Sequence, residues 1–179
     1  FACFGSVSEI LEDLTAHDEE EVLQLVTKRY RGLQMLRQRL GDQAIGYLQH
    51  GGYELFSKND AVLLEKCLFK REKINTLLKP VFKEQVYRIR ENPFNFKNVA
   101  SQCYNAFEGQ IDTGKMMEAL IRKVQASGVK ILNNCVVEKL NDHPSSVEIK
   151  TNHFTCSANK VLVATNGFAS QLGITQVTP

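Results

Sequence analysis

Hydrophobic positions recur most regularly between Asp18 and Leu40. Val22, Leu25, Val26, Tyr30, Leu33, Leu36 and Leu40 fall at three- and four-residue spacing, which places them on one face of a helix. Asp18 followed by Glu21 reads as a capping box, and Glu19 and Glu20 add negative charge at the positive end of the helix dipole. Arg37 and Arg39 suit the opposite end, and Gly41 supplies the stop. Helix electrostatics accounts for these charges, so no binding function is read into them. From Tyr47 to Phe56 the pattern partly alternates around Gly51-Gly52, as in a strand pair or a bulged strand. Asn59-Asp60 caps a second helix through Leu63, Cys67 and Leu68, which resumes at Ile74, Leu77 and Leu78 and ends at Pro80. Gln85 to Ile89 reads as a strand and Asn92 to Asn95 as a turn.

The last third has another texture. Asp112 is a good N-cap, with Ile111 and Met116 as a hydrophobic staple, for a helix through Met117, Leu120, Ile121 and Val124 that ends at Ser127-Gly128. Val129 to Leu132 reads as a short apolar strand, extended or followed by Val136 to Leu140. Ser146 to Thr151 and His153 to Cys156 alternate like two strands of a meander. Lys160 to Ala164 is a continuous apolar run of the kind buried on both faces of a parallel sheet. This order predicts part of a nucleotide-binding sheet.

Composition narrows the field. A chain of 179 residues with 43% hydrophobic content can form one core or two small ones. The net charge is only +2, without the clustered basic excess of a nucleic-acid binder. No apolar run approaches the roughly 18 residues a membrane span needs. The five cysteines are scattered and never spaced as metal ligands, which fits reduced, buried thiols in a cytoplasmic protein. The chain opens on Phe1 without the charged start of a signal peptide, and its simplest reading is a piece of a longer protein.

Several short patterns favour structural roles. Gly109 to Met116 nearly fits a phosphate-binding P-loop, but Met116 stands where a magnesium-binding Ser or Thr belongs, so a turn and a capped helix fit better. No Gly-x-Gly-x-x-Gly occurs, so this chain alone cannot build the usual dinucleotide phosphate site. His17, His50, His143 and His153 lack metal-ligand spacing. His50-Gly51-Gly52 would let a ligand approach the backbone, although a turn or bulge is the commoner outcome. Glu108 and Asp112 could pair for acid–base work, but Asp112 is already an N-cap, and nothing in the sequence buries Glu108 beside a reacting group. Val161 to Ala169 is the strongest signal. There a buried strand would end in small residues at the edge where nucleotides sit, with Thr165 offering a hydroxyl and Asn166-Gly167 tolerating positive φ.

Glu108-Gly109-Gln110-Ile111-Asp112, the helix after it, Ser127 to Leu132, Val136 to Leu140 and Val161 to Phe168 together resemble the D-amino-acid oxidase family of flavoproteins, which includes glycine oxidase, sarcosine oxidase and glutamylputrescine oxidase. The resemblance is best from Glu108 to Leu172 and weaker over Phe1 to Phe107. It implies an α/β, mixed α+β chain: residues 1–107 form a helical region and the start of a mixed-sheet substrate domain. Residues 108–179 form the C-terminal part of a Rossmann-like FAD-binding domain. In such enzymes the glycine loop and ribose-binding acid lie before the stretch matched here. Val137 matches the valine whose backbone contacts adenine, and Ala164, Thr165, Asn166 and Gly167 match the Ala-Thr-Gly turn beside the cofactor, with Asn166 departing from glycine. The implied cofactor is FAD, the substrate an amine or amino acid, and the chemistry hydride transfer to flavin. Cys3 and Phe4 either approach the flavin or pack, packing being the default, and no catalytic residue is named. Uncovered apolar strand faces predict that the piece self-associates, and without the phosphate-binding loop it is expected to be inactive alone. The competing expectation is a non-enzymatic helical interaction module, resting on the helices before Pro80.

Overall fold

The computed structural model describes residues 2–174 and contains two compact units, which divide between Gly128 and Val129. In the first, Ser6 and Glu9 form a capping box: Glu9 N donates to Ser6 Oγ at 3.3 Å and Ser6 N donates to Glu9 Oε2 at 2.7 Å. This box starts helix α1, Val7–Ala16. An equivalent box at Asp18 and Glu21 starts α2, Glu19–Leu40, which stops at Gly41 with φ +87°. Strands β1, Gly52–Ser57, β2, Tyr87–Arg90, and β3, Val99–Asn105, form an antiparallel sheet in the order β1-β3-β2. Helix α3, Ala61–Phe82, is continuous and runs two residues past Pro80 instead of ending there. A proline in the last turn removes one backbone donor without preventing the turn from closing.

The core of this unit lies between the helices and the sheet. Phe4, Ile10, Val22, Val26, Phe56, Ile74 and Leu78 are all at most 1% exposed. Phe4 stacks on Phe82 with ring centroids 4.9 Å apart and meets Tyr30 edge-on at 5.8 Å. Asn75 of α3 is buried and serves as a polar staple: its Nδ2 donates to Tyr87 O at 3.0 Å, while its Oδ1 accepts from Val86 N at 3.1 Å and Tyr87 N at 2.9 Å. A second cluster gathers Ala2, Leu33, Ile45 and Tyr47, with Ile111 and Met116 packed against it. Helix α4, Thr113–Ala126, begins where Asp112 Oδ1 accepts from Lys115 N at 3.0 Å.

The second unit is an antiparallel meander of β4, Val137–His143, β5, Ser146–Thr151, and β6, Thr155–Ala158, followed by a 3-10 turn over Asn166–Leu172. The meander expected from the alternation is present. The two apolar runs beside it are not strands. Residues 129–132 and 160–164 have no ladder partner among the described residues, and Val129, Ile131, Leu132 and Leu162 are exposed, Leu162 by 91%. A parallel strand is held by neighbours on its edges, and all strand pairs described here are antiparallel. Without that pairing, an apolar run has no ladder to make it a strand. The mixture of helices with two small antiparallel sheets makes the chain an α/β protein.

Candidate functional site

Around Glu108, the chain near its beginning meets the sheet. Ala2 and Gly109 exchange backbone bonds, Ala2 N to Gly109 O at 2.8 Å and Gly109 N to Ala2 O at 3.1 Å. Glu108, only 5% exposed, accepts from Phe4 N at 3.1 Å through Oε1. Its Oε2 lies over Gly52, where any Cβ would collide with the carboxylate. Gly51, at φ +80°, likewise leaves no room for a Cβ beside Tyr104 and Asn105 O. The two glycines therefore admit protein groups to the backbone, and His50 beside them is exposed. Glu108 is thus buried, which the sequence reading did not indicate, and its bond to Phe4 N is a structural one. The readable hint was a lone acid closing the run Tyr104 to Phe107.

A cavity of about 220 Å³ opens here, walled by Cys3, Tyr53, Glu54, Tyr87, Asn105 and Glu108 among others. Burial pushes the Glu108 carboxyl up to about 7, against the pull of the Phe4 and Gly5 amides. Burial also raises the Cys3 thiol, with the Glu108 charge adding to the effect, so Cys3 is not an activated thiolate. The Tyr87 hydroxyl donates to Gly5 O. Glu54 sits at the positive end of α1, its Oε2 accepting from Val7 N at 3.0 Å and Ser8 N at 3.4 Å and its Oε1 from the Ser8 hydroxyl. Asn105 is 3% exposed; its Oδ1 accepts from Phe107 N at 2.9 Å, but its Nδ2 has no hydrogen-bond partner. Asp112 is exposed and caps α4, so it does not join Glu108 as a catalytic pair. Gly109 lies in its bridge with Ala2, a backbone arrangement unlike a phosphate cradle. Of the two opening residues, Phe4 packs in the core and Cys3 lines the cavity.

The residues singled out by the family resemblance lie in the second unit. Val137 opens β4 opposite Thr151, half-buried, with an irregularity in register before Lys139. Ala164, Thr165, Asn166 and Gly167 are exposed. Thr165 starts the 3-10 turn, its carbonyl accepting from Phe168 N at 3.1 Å, and Asn166 takes φ +51°. Open space surrounds Gly167. Strand β4 packs against the 3-10 turn, so the stretches that begin at Val137 and Asn166 are neighbours. No group of three or more potential metal ligands forms among the described residues.

This architecture recurs among solved oxidoreductases. It is similar to glycine oxidase from Geobacillus kaustophilus, with a TM-score of 0.59 and 20% identity over 84% of this chain and 41% of that one. It is also similar to L-proline dehydrogenase from P. horikoshii, with a TM-score of 0.57 and 19% identity over 90% of this chain and 44% of that one. At such identities the likeness is one of fold, and the chain spans less than half the length of either structure. No curated protein matches it in sequence. Residues 6–179 match the family described as DAO, FAD dependent oxidoreductase, and the chain belongs to that family.

Proposed function

We propose that the chain is part of a flavoprotein that oxidises an amine or amino acid. FAD, when bound, supplies the acceptor for a hydride leaving the carbon that bears the amine. The observation that carries this reading is the packing of β4 on the 3-10 turn within a chain of this family. It puts the strand that opens at Val137 in contact with the turn that opens at Asn166. The donor set fits one flank of a nucleotide: a backbone edge at Val137, the Thr165 hydroxyl, and a turn whose left-handed Asn166 and side-chain-free Gly167 let a ligand come close. The pyrophosphate needs another segment, because the sequence has no Gly-x-Gly-x-x-Gly loop.

On this reading residues 108–179 belong to the FAD-binding portion and residues 1–107 to the helical and substrate-facing portion. The chain alone is inactive and binds FAD weakly, while the whole protein carries it. Native purification of the whole protein tests this: it should be yellow, and the flavin absorbance should bleach anaerobically when the right amine is added. A colourless, flavin-free whole protein would remove the assignment.

A further inference from the structure

The cavity beside Glu108 has a chemical character that the flavin reading does not use. Glu9, Glu54 and Glu108 all face it, and no lysine, arginine or histidine is among its described wall residues. Arg29, beside Phe4, is engaged elsewhere, donating to Phe4 O at 3.4 Å and pairing with Asp13 at 3.5 Å. Glu9 closes its capping box and Glu54 receives the first amides of α1. Glu108 accepts from Phe4 N through Oε1 and feels the pull of the Gly5 amide, while its Oε2, like Glu9 Oε1, has no partner among the described hydrogen bonds. On the same wall Asn105 Nδ2 is a buried donor without an acceptor, which proteins rarely leave unmatched. A buried carboxylate that is only partly satisfied and an orphan amide donor thus share one small cavity.

We propose that this cavity binds a small organic ammonium ion that carries a neutral hydrogen-bond acceptor, such as an amino alcohol or an α-amino amide. The ammonium pairs with Glu108 and the neutral oxygen accepts from Asn105 Nδ2. The Tyr53 ring on the wall is compatible with a cation passing it. A carboxylate on the ligand would instead lie among three glutamates and be repelled, so a zwitterionic amino acid is disfavoured. The volume of about 220 Å³ restricts the ligand to a few heavy atoms. Burial pushes Glu108 up to about 7, so for an amino alcohol, whose ammonium persists through this range, affinity rises between pH 6 and pH 8 as the carboxylate forms.

Calorimetric titration of the full chain at pH 8 tests the site with ethanolamine, glycinamide, methylammonium, glycine and acetamide. Ethanolamine and glycinamide should bind about tenfold or more tightly than glycine or acetamide, a gap that one ionic contact can supply. Glu108→Gln, which keeps the shape, should weaken both by a similar factor. Asn105→Asp keeps the acceptor for Phe107 N while removing the free donor, and should abolish the preference for glycinamide over methylammonium. Thermal melting confirms that each variant folds, and the Asn105 comparison stands alone if Glu108→Gln does not. Absence of ammonium binding, equal binding of glycine and glycinamide, or unchanged binding by a folded Glu108→Gln protein would overturn the proposal. The titration contains no flavin and every wall residue lies in the first unit. Its failure would therefore leave the flavoprotein reading intact.

Discussion

At the scale of single residues, Glu108 is an acid in a place that favours its neutral form. Its folded value of about 7 lies above the ordinary 4.5, so between these values the folded chain holds a proton that the unfolded chain has released. The resulting stabilisation is complete below about 4.5 and is lost as pH rises through about 7. A gap of this size corresponds to about 3 kcal/mol. Urea denaturation should therefore show stability falling from about pH 4.5 to about pH 7 and then levelling, and Glu108→Gln should flatten that slope. An equal slope in the variant would assign the titration to another group. Arg37 makes a different kind of contact: its Nε and Nη2 both donate to the Asp42 carboxylate at 2.8 Å, and its guanidinium lies 4.1 Å from the Tyr47 ring centroid. That fork depends on a planar group which lysine lacks.

At the scale of elements, Asn75 couples α3 to the start of β2. Asn75→Ala would leave Val86 N, Tyr87 N and Tyr87 O without that partner in a buried place, at a cost of about 2–4 kcal/mol. Thr76→Ala on the exposed side should cost less than about 1 kcal/mol, and denaturant midpoints for the pair measure the difference. Elements with local signals were legible in the sequence: the Asp18 box and Gly41 bounded α2, Asp112 started α4, and alternation marked the meander. Helix α1 escaped notice although Ser6 and Glu9 have the same box spacing as Asp18 and Glu21. Strand β3 was missed because its residues, including the buried Gln102 and Asn105, do not alternate cleanly in polarity. The runs at 129–132 and 160–164 misled for the converse reason: their apolar character describes a two-sided pairing that the described residues do not provide. The Glu108 cavity was illegible because its walls come from the opening segment, α1, three strands and the loop after them.

At the scale of the molecule, the second unit leaves an unusual amount of apolar surface uncovered. Val129, Leu132, Val136, Leu162 and Phe168 are each more than half exposed. We propose that these residues drive association of the chain with itself, since large apolar side chains in water gain by being buried. Sedimentation velocity should show concentration-dependent growth, reduced by Leu162→Lys, a change at a side chain with little packing to lose. A monomer at every concentration would count against it. No helix among the described residues is long and apolar enough to cross a membrane.

The bond from Phe4 N to Glu108 joins residues 104 positions apart. Closing so long a loop has a large entropic cost, recovered only once the intervening helices and strands have taken shape. This cost predicts that the opening segment is placed as a keystone is, last and against a finished arch. Pulsed hydrogen exchange during refolding should find the Phe4 amide gaining protection after the amides of α2. Early protection at Phe4 would mean that the two distant stretches meet before the helices form.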